Sequence, residues 1–109
     1  MCSMRVSSSR MEIFHLAEPS DWEERSNVYV ARSLETEGFI HCSTADQVDG
    51  VAARFFAGRT DLMLLTIDSH AVEELLVFED LYEMGEEFPH IYGPLPVTAI
   101  VAAVPFQGV

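Results

Sequence analysis

The segment Glu37-Gly38-Phe39-Ile40-His41-Cys42-Ser43-Thr44 constrains this chain more than any other, because it sets a histidine inside an apolar, strand-like run. Period-two alternation puts Phe39, His41 and Ser43 on one face of a strand, with Ile40 and Cys42 on the other. The motif therefore reads as an imidazole–hydroxyl pair. A second segment, Phe88-Pro89-His90-Ile91-Tyr92-Gly93-Pro94-Leu95, carries His90, and Ile13-Phe14-His15-Leu16-Ala17 carries His15. Three of the four histidines thus stand where burial alone favours an apolar side chain. Histidine is also the side chain that gains or loses a proton near neutral pH. Together they suggest a site.

The surrounding pattern predicts an α+β domain of about five or six strands, with two helices in the N-terminal half. Residues 1–10 read as a loose tail, and 11–109 as one domain. Ile13 to Ala17 is the first strand. Ser20 and Glu23 form a capping box opening a short helix, and Asn27 to Val30 is briefly extended. A helical turn over Ser33 to Glu37 is ended by Gly38. Thr44, with Gln47 completing a second capping box, begins the best helix; its stripe Val48, Val51, Ala52, Phe55 and Phe56 reads as core. Gly58 is placed to end it. Strands are expected over Asp61 to Asp68 (buried on both faces), Leu76 to Tyr82 and Val97 to Phe106. The Gly- and Pro-rich segment 84–96 reads as an irregular connection, a candidate lid bringing His90 and Tyr92 over the strands.

Eighteen acidic residues against six basic ones give a formal charge of -12. Such a surface repels phosphate backbones, so long nucleic acid is a poor partner. A small anionic ligand remains compatible through Arg25, Arg32, Arg54 or Arg59. The chain has no lysine, which excludes Schiff-base chemistry through that residue. Neither GxGxxG nor GxxxxGK[ST] occurs, so Rossmann-type and P-loop sites are excluded at the level of motif. Two cysteines are too few for a disulfide framework. No leader or membrane-spanning run is visible, which points to no membrane partner and a cytoplasmic location.

If the strands of His15 and His41 are adjacent and in register, both imidazoles share one sheet face, with Ser43 beside them. Each histidine taken singly has a plain explanation as a hydrogen-bonded core residue, and His70 reads as an exposed bystander. Glu79 or Asp80 offers one inward carboxylate, or simply an edge-strand charge. Three imidazoles could hold zinc, but the sequence has no HxH or HExxH pair. His41 and Cys42 point to opposite faces, which disfavours a cysteine–histidine nucleophile.

These segments, in this order and with Arg54-Phe55-Phe56-Ala57-Gly58, resemble the small bacterial proteins of the domain of unknown function 952 family, over residues 11 to about 105. That resemblance implies the ADP-ribosyltransferase-like superfamily, related to RNA 2′-phosphotransferases, with a split sheet and NAD bound in a cleft. It further implies an NAD-dependent transferase of ADP-ribosyl or phosphoryl groups to a small molecule or protein. In that scheme His15, His41 and His90 are the catalytic set, and Ser43, Tyr92 and Glu79 contact the NAD cofactor. Many such transferases use a late glutamate, which only Glu79 could supply here. The alternative is a non-catalytic nucleotide or small-ligand binding domain with the same cleft. The oligomeric state is open.

Overall fold

A computed structural model describes residues 11–106, apart from Tyr82 and Met84. The expected tail therefore lies outside the described residues. Within them the chain forms β1 (Glu12–Ala17), α1 (Pro19–Glu23), β2 (Val28–Tyr29), α2 (Arg32–Thr36), β3 (Ile40–His41), α3 (Val48–Phe55), β4 (Met63–Asp68), β5 (Leu76–Glu79), β6 (Phe88–Ile91), β7 (Leu95–Pro96) and β8 (Ile100–Pro105). Short 3-10 turns cover Ser69–Val72 and Val97–Ala99. The domain is α+β, as the pattern predicted, with three helices rather than two and eight strands rather than five or six among the described residues.

The strands make two three-stranded antiparallel sheets, β1-β4-β8 and β3-β6-β5, and a two-stranded ribbon, β2-β7. Alternation along β1 and β4 pairs Ile13 with Ile67, His15 with Leu65 and Ala17 with Met63 across one face. That face packs against Ile40 and Cys42 of the β3 segment, Ile91 of β6 and Tyr29 of β2, forming the main core. The opposite face of β1 buries Leu16 against Val51 and Ala52 of α3, together with Phe88. Half of each strand's side chains therefore feed each layer, as a period of two requires. β4 is covered on both faces, although Met63 and Leu64 are only half-buried.

Several local expectations are corrected. Phe88 to Ile91 is not a lid but the central strand of its sheet, with all four residues buried. Pro89 with the following Gly93 and Pro94 reads as a loop, yet Pro89 is tolerated because the β3 ladder ends there. Pro89 accepts from the Cys42 N–H at 3.0 Å and has no N–H to return. The Ser20–Glu23 capping box is absent: α1 starts at Pro19 after Glu18, with no side-chain cap. Proline in the first turn has its φ already set for a helix. The Thr44–Gln47 box forms only by half. The Thr44 N–H donates to Gln47 Oε1 at 2.9 Å, and the helix proper begins at Val48. Phe55 is not core but 54% exposed at the end of α3. β5 stops at Glu79, short of Tyr82, which lies outside the described residues, and Val97–Ala99 is a turn rather than strand.

Gly38 behaves as predicted. At φ 91° it takes the left-handed conformation that glycine adopts without strain, and its N–H reaches the carbonyls of Ser33 and Leu34 at 3.2 Å each. That turn ends α2 and launches β3. No described helix is long and apolar enough to cross a membrane.

Leu65 is fully buried at the centre of β4. Truncating it to Ala is expected to cost about 2–5 kcal/mol in chemical denaturation, whereas Val101→Thr on the exposed edge strand should change stability by less than about 1 kcal/mol. Equal effects at the two positions would contradict the layer assignment.

Candidate functional site

β1 and β3 are not neighbours in one sheet, contrary to the expected shared face. They meet at a single bridge, where Phe14 N–H donates to the Ser43 carbonyl and Ser43 N–H donates to the Phe14 carbonyl, each at 2.7 Å. His15, one residue further along β1, reinforces this junction. Its Nδ1 lies 2.6 Å from the His41 carbonyl oxygen, which can only accept, so the ring proton is on Nδ1. Nε2 is then an acceptor and takes the Tyr29 hydroxyl proton at 2.8 Å. Both ring nitrogens of His15 are committed. Burial holds its pKa down at about 4, so the ring is neutral at pH 7. Burial likewise pushes the Tyr29 phenol upward.

A cleft of about 650 Å³ opens over this junction. His15, Tyr29, His41 and Ser43 line it together with Arg32 and Ser33 of α2. The Ser33 hydroxyl is buried and has no hydrogen-bond partner among the described residues. Glu18, Asp21 and Glu37 also line the cleft, as does Phe55 of α3. Arg59 holds Glu18 at 2.7 Å and Asp61 at 2.7 Å, which fixes part of this acidic rim. Arg32 uses its backbone N–H to reach Asp21 at 3.1 Å.

His41 is half-buried among aromatic rings: Phe39 at 5.9 Å, Phe88 at 6.2 Å and Phe55 at 6.5 Å between centroids. Burial, then the neighbouring His90, lowers its pKa, while Glu37 opposes the shift. At the junction itself the cleft presents neutral imidazole and hydroxyl groups, with Arg32 and the carboxylates of Glu18, Asp21 and Glu37 around them. The imidazoles and hydroxyls donate and accept hydrogen bonds at a polar ligand without adding net charge.

His90, Glu79 and Tyr92 form a separate cluster and do not line the cleft. Nδ1–H of His90 donates to Glu79 Oε2 at 2.8 Å, and the Tyr92 hydroxyl donates to the same oxygen. These bonds, the Tyr92 one foremost, hold the Glu79 carboxyl below its usual range, and Glu79 raises Tyr92 in turn. The inward carboxylate foreseen at Glu79 or Asp80 is Glu79, and its partner is a histidine. The structure thus brings His15, His41 and Ser43 to one cleft and sets His90, Tyr92 and Glu79 behind and beside it. Of the four arginines offered for an anionic ligand, Arg32 alone lines the cleft, while Tyr29, Ser33 and Glu37 were missed as lining residues. The one available signal was the single hydroxyl of Tyr29 in an apolar extended piece. Among the described residues no three His, Cys, Asp or Glu side chains are grouped to hold a metal ion.

The family described as "Protein of unknown function (DUF952)" matches residues 16–103. The chain belongs to this family. It is similar to the crystal structure of protein CC0527 from Caulobacter crescentus, with a TM-score of 0.77 and 26% identity, over 90% of this chain and 91% of that one. The solution structure of CC0527 superposes with a TM-score of 0.74 and 26% identity, over 88% of this chain and 84% of that one. A comparison with curated proteins finds no match.

Between pH 6.5 and about 4, the unfolded chain binds a proton at His15 that the folded protein refuses. The contribution of this ring is complete above pH 6.5 and is lost as pH falls toward 4. A shift of this size corresponds to about 3 kcal/mol. Denaturation midpoints are expected to fall from pH 6.5 to 4.5 in the wild type and much less in His15→Gln, with His41 leaving a residual slope. Identical slopes would contradict the assignment.

Proposed function

We propose that this DUF952 protein is a small ADP-ribosyltransferase-like domain that binds NAD in the cleft over the β1–β3 junction and transfers its ADP-ribosyl group to a small molecule or protein. The observation carrying this reading is the cleft itself, which gathers His41, Ser43, Tyr29 and the orphan hydroxyl of Ser33 beside Arg32. Hydroxyl and imidazole groups suit ribose hydroxyls, Arg32 can meet a phosphate beside the carboxylates of Glu18, Asp21 and Glu37, and the volume lies in the range of pockets for small organic ligands. The approach of two small sheets at one bridge also suits the split-sheet architecture implied by the sequence resemblance.

In this scheme Arg32 offsets phosphate charge, and Ser33 and Ser43 hydrogen-bond ligand oxygens. His41 lies where its imidazole can bond the nicotinamide ribose. His15 is a positioning residue, because both its nitrogens are already occupied. The bond from the ribose C1′ to nicotinamide breaks, nicotinamide leaves with the electron pair, and the acceptor oxygen or nitrogen bonds to C1′ as its proton passes to the neutral His41 imidazole. Positive charge developing on the ribose needs a carboxylate. Glu37, which lines the cleft near His41, supplies it in place of Glu79.

A non-catalytic binding domain with the same cleft is the alternative. It is favoured by the engagement of Glu79 with His90 and Tyr92, away from the cleft.

Titration with NAD or ADP-ribose at millimolar concentration is expected to shift the ring resonances of His41, and the wild type is expected to release nicotinamide from NAD. His41→Ala should slow that release by about tenfold or more. Binding without release would favour the non-catalytic domain. No shift at His41 with either ligand would overturn the NAD reading.

A further inference from the structure

β5 is an edge strand: it pairs with β6 on one side, and no described strand flanks the other. Pro89 decides which of its backbone groups face outward. The Pro89 carbonyl points to the β3 segment, where it accepts from the Cys42 N–H. Phe78, opposite Pro89 in the register, therefore forms a pair without mutual hydrogen bonds. Its N–H and C=O point away from β6, to the free edge. The Tyr92 N–H donates to the Leu75 carbonyl at 2.8 Å, which keeps the same alternation. Apolar side chains flank that edge uncovered. Val77 is 43% exposed and Phe78 38%, on opposite faces of the strand, and Leu81 just beyond is 52% exposed.

The charge around this edge has one sign. Between residues 73 and 87 every charged side chain is a carboxylate, and the chain has no lysine or arginine after Arg59. Glu79 is turned to His90 and Tyr92, and Asp80 accepts from the Gly85 N–H. Glu73 and Glu74, directly before the strand, are exposed. The ion pairs of Arg59 fall elsewhere, at Glu18 and Asp61. An unpaired edge is a template for another strand, and carboxylates beside it repel acidic strands, a second copy of β5 included. A basic strand meets the opposite balance.

We propose that the outer edge of β5 is the docking site for a basic, extended peptide segment of a partner protein, which adds as a fourth strand to the β3-β6-β5 sheet. The Phe78 N–H donates to a carbonyl of that segment, and the Phe78 carbonyl accepts from one of its N–H groups. Alternate apolar residues of the segment cover Val77 on one face and Phe78 on the other, while its arginines or lysines meet Glu73 and Glu74. β8 also has a free edge, but it carries no charged residue, its register shifts at Thr66/Ile67 and it ends at Pro105, so nothing there selects a partner. No residue of β5 lines the cleft, and the docking site is independent of the NAD reading.

Backbone amide resonances of the full chain, titrated with a blocked peptide of about ten residues alternating arginine and valine, test the site. The Phe78 amide is expected to shift and its hydrogen exchange to slow on saturation, with the β8 amides unmoved. The same peptide methylated at every backbone nitrogen keeps its charge but loses its donors, and should not bind. The double variant Glu73→Gln, Glu74→Gln is expected to weaken binding by about three- to tenfold, and salt at about 0.5 M to weaken it as well. Equal binding of the methylated peptide, or of one alternating glutamate and valine, would overturn the proposal. So would shifts confined to the acidic residues with Phe78 unprotected. A Phe78 N–H already protected without peptide, by a second copy or by another part of the chain, would overturn it too. These results are read on the wild type, so failure of the variant to fold leaves the test intact.

Discussion

The hydrogen bond from Nδ1–H of His15 to the His41 carbonyl is the contact on which the rest of this structure depends. The two three-stranded sheets share no long ladder, only the Phe14–Ser43 bridge. His15 adds a third bond at this junction in a dry environment, where a polar contact is strong and its loss leaves unsatisfied groups. The bond also fixes the tautomer, which turns Nε2 into the acceptor for Tyr29 and fixes that side chain too. One imidazole therefore joins β1, β2 and β3.

From this junction the two faces of the β3 segment take different roles. Ile40 and Cys42 enter the main core, while His41 and Ser43 line the cleft and Phe39 packs over His90. The separation follows from the pleat. A one-residue register slip would exchange core and cleft residues, so the apolar face that stabilises the domain also fixes the site geometry. Gly38 sets that register from the N-terminal side, ending α2 with a left-handed turn directly before Phe39.

Much of this was legible from local pattern. Alternation separated His41 and Ser43 from Cys42, and the stop at Gly38 and the burial of Val51 and Ala52 followed from spacing. What failed was non-local. β6 is held by partners on both sides, and pairing outweighs the loop signal of Pro89 and Gly93. The bond between His90 and Glu79 depends on how β5 pairs with β6, which neither segment encodes alone. Phe55 fits the apolar stripe of α3 but falls at its last turn, where the helix runs past the sheet into the cleft rim. Lining by Arg32, Ser33 and Glu37 required knowing that α2 borders β3, because their spacing resembles any short polar helix.

The central claim is that the cleft over the His15–His41 junction is the ligand site. Crystals grown with ADP-ribose test this most directly. The account predicts density in the cleft, with ligand oxygens within about 3 Å of Ser43 or the His41 ring and none in contact with His90. Ligand bound on another face, or seated against His90 and Tyr92 with the cleft unfilled, would contradict it.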